Sequence, residues 1–158
     1  MIELIPILPS HYEDLYRICC DNMAYMQQLL PSLWHFQLNA AKYEGFTLMD
    51  GDKVVGAITF SDLIPLRDAC MNIDVRQDYW YKWGTRQNFR TVCDFTFNKL
   101  QLPRMSSRTI KNLTCHSEPM LIKAGFRVEG IIEDALFYPD GFHDIVLYGM
   151  LRRRCRWL

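Results

Sequence analysis

Residues of this chain that could do chemistry fall into a few groups, and their spacing sorts them. Six cysteines (Cys19, Cys20, Cys70, Cys93, Cys115 and Cys155) show no Cys-x-x-Cys spacing, and four histidines (His11, His35, His116 and His143) are scattered. Zinc needs ligand pairs at close spacing, so no metal site is expected. Reduced core thiols in a reducing, cytoplasmic compartment are the reading these cysteines favour. The segment Arg152-Arg153-Arg154-Cys155-Arg156-Trp157 brings four guanidinium groups beside an indole. Such a group can clamp phosphate or an acidic protein surface, although a solvated tail or an arginine-decorated last strand is the commoner outcome. The aromatic run Tyr79-Trp80-Tyr81-Lys82-Trp83 leads directly into Gly84-Thr85-Arg86. Aromatic rings in such density fill space inside a fold or form contact surface for a partner.

These residues need a scaffold, and the composition supplies an ordinary one. At 158 residues, one domain spanning 1–158 is expected, with a basic segment at 152–158. Apolar content of 49% with 23% charged residues describes a globular chain. Eighteen basic and eighteen acidic side chains cancel, so no overall field draws the chain to nucleic acid or membrane. No apolar run is long enough for a spanning helix, and no basic segment leads an apolar run as in a signal peptide.

The periodicity predicts a mixed α/β fold in the order β-α-α-β-β-β-α-β-α-β-β. Ile2 to Leu8 reads as a strand, and Ser10 with Glu13 as a capping box for a helix carrying Leu15, Ile18 and Cys19. A second helical piece runs from Met23 to Leu30, stopping at Pro31, and Ser32 can cap a third to about Lys42. Gly45 to Met49 and Val54 to Ser61 flank an Asp50-Gly51-Asp52 turn, which predicts a hairpin. Ala69 to Arg76 is a strand, Thr85 to Leu100 a helix, and Arg104 to Ile110 a strand with alternating Met105, Ser107 and Thr109. Ser117 is placed to cap the last helix, with Pro119 in its first turn and Gly125 as its left-handed end. Val128 to Phe137 and Phe142 to Leu151 form a closing hairpin.

This order, with particular residues, resembles the GNAT acetyltransferase superfamily, and most of all its ribosomal-protein alanine acetyltransferase branch. Thr114-x-x-Ser117 followed by Leu121, Ala124, Gly125 and Phe126 is similar to that branch's Asn-x-x-Ser helix ending in Gly-Phe. Gly130-Ile131-Ile132-Glu133, then Tyr138-Pro139-Asp140-Gly141 to Leu147-Tyr148, looks like its last hairpin. Asp78-Tyr79-Trp80, followed by the Asn88 to Leu100 helix, sits where the branch has its fourth strand, cofactor loop and long helix.

The resemblance implies an enzyme that binds acetyl-CoA and acetylates a primary amine. In the family, loop amides at a helix N-terminus hold the pyrophosphate, and the helix dipole assists them. The family loop reads Arg/Gln-x-x-Gly-x-Gly/Ala, but here its glycine positions fall on Tyr81 and Trp83. A modified cradle would then draw on Gly84, the Thr85 hydroxyl, and the Lys82 and Arg86 charges, with Thr114 as a further cofactor contact. The resemblance places Val75 where a backbone N–H supports the thioester carbonyl. Asp74 and Glu133 are candidate bases for the amine. Ser117 could contact the thiol or cofactor, although capping is already a sufficient role for it. The position of a common tyrosine acid is Leu121.

Two functions remain open on this reading. One is an acetyl-CoA-dependent N-acyltransferase acting on a protein N-terminus or a small amine. The other is a catalytically inactive GNAT-fold module whose groove is closed by Tyr79, Trp80, Tyr81 and Trp83. That module would serve protein interaction, self-association or assembly, as in viral or other macromolecular structures. Tyr81 and Trp83 favour the second, and the helix and hairpin framework favours neither.

Overall fold

The computed structural model describes residues 1–22, 32–40, 42, 44–113 and 117–158. Seven strands hydrogen-bond in the order β1-β2-β3-β4-β5-β7-β6: β1 is Ile2–Pro6, β2 Glu44–Asp50, β3 Lys53–Ile64, β4 Asp68–Val75, β5 Arg104–Ile110, β6 Arg127–Tyr138 and β7 Gly141–Leu151. The helices are α1 Tyr12–Asp21, α2 Leu33–Ala40, α3 Arg86–Asp94 and α4 Glu118–Ala124. The mixed α/β order is therefore the expected one. The helix expected at Met23 to Leu30 lies outside the described residues. Two compact units result, Met1–Ser61 with Asn72–Trp83, and Asp62–Met71 with Gly84–Leu158.

In the first unit, β1 and β2 pair antiparallel from Ile2↔Asp50 to Pro6↔Phe46, and β2 and β3 form the expected hairpin about Gly51-Asp52. Leu15 and Ile18 of α1 pack with Val54 and Ala57 of β3, flanked by Ile7, Phe36 and Met49. Those apolar residues recur at helical spacing in α1 and so reach the sheet from one face of the helix. The start of α1 differs from the expected capping box. A 3-10 turn, Pro9–His11, precedes the helix, and the Leu8 N–H donates to the His11 ring at 3.3 Å. Buried His11 also bonds Thr47 at 2.9 Å, so the histidine organises the turn instead of Ser10.

In the second unit, β5 pairs with β4 in parallel at Cys70↔Ser106 and with β7 antiparallel from Arg104↔Leu151 to Ile110↔Ile145. Met105, Ser107 and Thr109 are buried as their alternation predicts. The two hydroxyls are satisfied, Ser107 by the Met71 carbonyl at 3.0 Å and Thr109 by the Tyr148 hydroxyl at 3.4 Å. The helical stretch after Thr85 is α only to Asp94 and widens to a π-turn over Phe95–Lys99. There the Leu100 N–H reaches back to the Phe95 carbonyl at 2.9 Å, while the buried Thr96 hydroxyl takes the Val92 carbonyl at 2.9 Å. Helix α4 ends as expected, with Gly125 at φ +107° and the Phe126 N–H returning to the Leu121 carbonyl at 3.0 Å.

Candidate functional site

The first unit contributes the end of β4 and the loop that follows it. Val75 is buried, and its carbonyl accepts two hydrogen bonds, from Asn22 Nδ2 at 2.9 Å and Trp80 Nε1 at 3.0 Å. Gly56 of β3 lies so close that a Cβ there would come within 2.5 Å of the Asp74 backbone carbonyl oxygen and 2.9 Å of Val75 Cα. The strand end is thus fixed from the side of β3, from α1 and from the loop. Asn22, at the end of α1, was not singled out by any motif, and its Oδ1 is buried without a hydrogen-bond partner among the described residues.

Asp74 is half-buried, and burial lifts its carboxyl to about 6. Desolvation disfavours the carboxylate. The Asp74 charge also helps burial raise the thiol of Cys19, so the carboxyl lies toward α1. Strand periodicity does not reveal this, because the burial depends on how α1 and β4 meet.

The aromatic run divides its labour. Arg76 to Lys82 coils into successive turns, in which the N–H groups of Tyr79, Trp80 and Lys82 bond back to the carbonyls of Arg76, Gln77 and Tyr79. The Tyr79 hydroxyl donates to Asp50 at 2.9 Å, and that bond leads the effects holding the Asp50 carboxyl below its ordinary range. Lys82 sits over the Tyr79 ring at 4.9 Å and Lys53 at 5.5 Å, both within cation–π range. Trp80 is spent on the Val75 carbonyl. Tyr81 is 73% exposed, whereas Trp83 is only 3% exposed. The two bulky residues at the expected glycine positions therefore part company: one ring turns to solvent and the other is packed inside.

The second stretch of the second unit opens with Gly84. A Cβ at this position would lie 2.0 Å from Met120 Cε, the mobile end of a side chain on α4, and 3.4 Å from Phe89 Cζ. Thr85 caps α3, its hydroxyl accepting from the Asn88 N–H at 3.1 Å. Its hydroxyl is thus engaged with the helix. The Arg86 and Gln87 amides, first in α3, precede any intrahelical acceptor, and the Arg86 side chain is exposed.

The remaining expected residues are less well placed. Ser117 stands at the head of α4 but makes no capping hydrogen bond, contrary to the role expected for it; its backbone is already helical at φ −80°, ψ −27°. Glu133 is exposed on β6. Leu121, at the tyrosine position, is buried core. Thr114 and His116 lie outside the described residues.

Nor is the basic segment a solvated tail. Arg152–Arg154 forms a 3-10 turn, with Arg152 donating to Asn98 Oδ1 at 2.9 Å. Arg156 and Trp157 donate to the Lys123 and Ala124 carbonyls at the end of α4. The Trp157 ring stacks on Phe89 at 5.7 Å, with Arg156 over it at 4.8 Å. Cationic donors at a helix C-terminus satisfy its open carbonyls and complement its dipole. Close by, the Cys93 thiol helps pull the Cys155 thiol down to about 6. Among the described residues, no helix is long and apolar enough to cross a membrane.

No family model and no curated protein matches the sequence. Solved structures do. The chain superposes on the spermidine N-acetyltransferase of Vibrio cholerae in complex with CoA and spermine with a TM-score of 0.83 at 15% identity, covering 97% of this chain and 96% of that one. It superposes on the ribosomal-protein-S5-alanine acetyltransferase of Vibrio fischeri with a TM-score of 0.79 at 16% identity, covering 99% and 95%. Identity this low speaks for architecture, and nearly complete coverage in both directions makes that architecture plain: the chain has the GNAT acetyltransferase fold.

Proposed function

We propose that this chain is an N-acetyltransferase that moves an acetyl group from acetyl-CoA to a primary amine. What supports the reading is the strand end at Val75, whose carbonyl is fixed by Asn22 and Trp80, with Asp74 beside it as a carboxyl that burial raises to about 6. A carboxylate of this basicity is ionised at neutral pH and can take the proton that an attacking amine nitrogen sheds as the C–N bond forms. A fold kept only for its shape gains nothing from it, because a desolvated acid destabilises the native state.

In this reading the amine nitrogen attacks the acetyl carbon, the C–N bond forms and the C–S bond breaks. The sulfur leaves as CoA thiolate, the nitrogen's surplus proton passes to Asp74, and that proton then returns through solvent to the thiolate to give CoA thiol. Val75 holds the carbonyl oxygen through its backbone N–H, supported by the bonds that fix its own carbonyl. Within the second unit, the Arg86 and Gln87 amides and the Arg86 charge are the groups offered to phosphate. Glu133 and Ser117 have no direct part. Spermidine, spermine and a peptide N-terminal alanine are the acceptor types suggested by the superposed enzymes.

One observation favours a second reading, a binding module without catalysis: the Trp83 ring is packed inside at a position where the family carries glycine. CoA thiol release with a panel of polyamines and alanyl peptides separates the two. The first reading expects amine-dependent release that declines below about pH 6, and a roughly 10²-fold loss in Asp74→Asn. No release with any amine at saturating acetyl-CoA supports the module.

A further inference from the structure

The cysteines of this chain do not share one environment. Cys19, Cys70 and Cys93 are buried, and their thiols are pushed above the ordinary range. For Cys19 and Cys70 burial is the chief cause, since a thiolate is penalised away from water. Cys155 is only half-buried, and its thiol moves the other way. Cys115 lies outside the described residues.

The second unit supplies the reason. The Cys93 thiol donates a hydrogen bond to the Cys155 sulfur, the Trp157 and Leu158 amides donate to it as well, and the Arg156 charge stands beside it. Cys93 and Arg156 are the titratable and charged groups that act on it. The packing explains why the two sulfurs meet. Phe89 and Cys93 are four residues apart in α3 and so share a face. Trp157 stacks on Phe89, and the donors of Arg156 and Trp157 bind the end of α4. These contacts hold the segment against α3 with Cys155 on Cys93. Met150 Sδ also lies 3.9 Å from the Cys93 sulfur, but a thioether forms no disulfide. A thiol with solvent access, stabilised as thiolate and touching a second, buried thiol, is the arrangement of an attacking and a resolving cysteine.

We propose that Cys155 is a modification site for low-molecular-weight disulfides, with Cys93 as its resolving thiol. The Cys155 thiolate attacks one sulfur of the disulfide RSSR, whose S–S bond breaks and releases RS⁻. The mixed disulfide on Cys155 remains. Cys93 gives its proton to the released thiolate, attacks the Cys155 sulfur and expels the second RS⁻, leaving a Cys93–Cys155 disulfide. The two cysteines are oxidised by two electrons, and RSSR is reduced to RSH and RS⁻. Neither sulfur takes part in the acetyl transfer proposed above, so the two proposals stand or fall separately.

Glutathione disulfide added to the full, reduced chain is the probe, read by mass spectrometry with peptide mapping. The expected product is the Cys93–Cys155 disulfide. Cys93→Ala should stop at one glutathione on Cys155, and Cys155→Ser should give neither product. On the parent chain, alkylation of Cys155 by iodoacetamide should level off above about pH 7, because its thiol titrates near 6. Free glutathione should keep gaining rate to about pH 9. That profile decides even where Cys93→Ala does not fold. Glutathione found only on other cysteines overturns the proposal. So does a parent-chain adduct on Cys155 that never converts to the disulfide, or a Cys155 alkylation rate that still climbs above about pH 8.

Discussion

Asp74 ties the proposed chemistry to the stability of the fold. Its ordinary value is 3.8, and burial raises it to about 6 in the native protein. The native state therefore binds the proton more tightly than the unfolded chain. Stability linked to this group is full below about pH 3.8 and is lost as pH rises through about 6. Asparagine imitates the neutral form, so Asp74→Asn should unfold at higher temperature than the parent at pH 8. The gain should be about 1–3 kcal/mol there and near zero at pH 4. Thermal melts at the two pH values check it.

The aromatic loop makes a separate prediction from the contrast between Tyr81 and Trp83. Tyr81→Gly should change stability by less than about 0.5 kcal/mol, as exposed positions generally do. Trp83→Gly should cost about 3–5 kcal/mol, because it empties a packed site. Denaturant melts of the two variants distinguish these outcomes. The sequence identifies both rings as departures from glycine but gives no hint that they point oppositely. That difference arises from packing that residue type alone does not encode.

Elements were legible where their signals are local. The Asp-Gly turn between β2 and β3, the strand at Arg104–Ile110 and the left-handed Gly125 all follow from period and turn chemistry. Caps were less legible, since several residues can satisfy the same end of a helix. Thr85 accepts from Asn88 as a cap should, but Ser117 does not cap α4, and at α1 a histidine-bound turn displaces Ser10. The tie between β5 and β6 was not legible at all. Arg104 holds Glu129 at 2.7 Å and Asp68 at 3.2 Å, and the Glu129 carboxylate, drawn down mainly by Arg104, lies over Gly149. A Cβ at residue 149 would fall 2.2 Å from Glu129 Oε1. Gly149→Ala should therefore displace the carboxylate from Arg104 and cost about 1 kcal/mol, with little further loss when Glu129→Gln is added. A double-mutant cycle on unfolding free energy measures that coupling.

Across the chain as a unit, the fold was readable, whereas the activity is a proposal. Order of elements and the closing hairpin carry the GNAT architecture. The proposed chemistry rests on a desolvated carboxyl and on a loop whose rings settle only in three dimensions, and neither leaves a motif. Fold by itself does not fix function, so binding of the acyl donor decides the matter. Isothermal titration of the full chain with acetyl-CoA is the most direct measurement. The proposed function predicts saturable heat at one site per chain with a micromolar dissociation constant, weakened by Arg86→Glu at the head of α3. Absence of heat at millimolar acetyl-CoA, in a chain whose circular dichroism and melt are those of a folded protein, would contradict it.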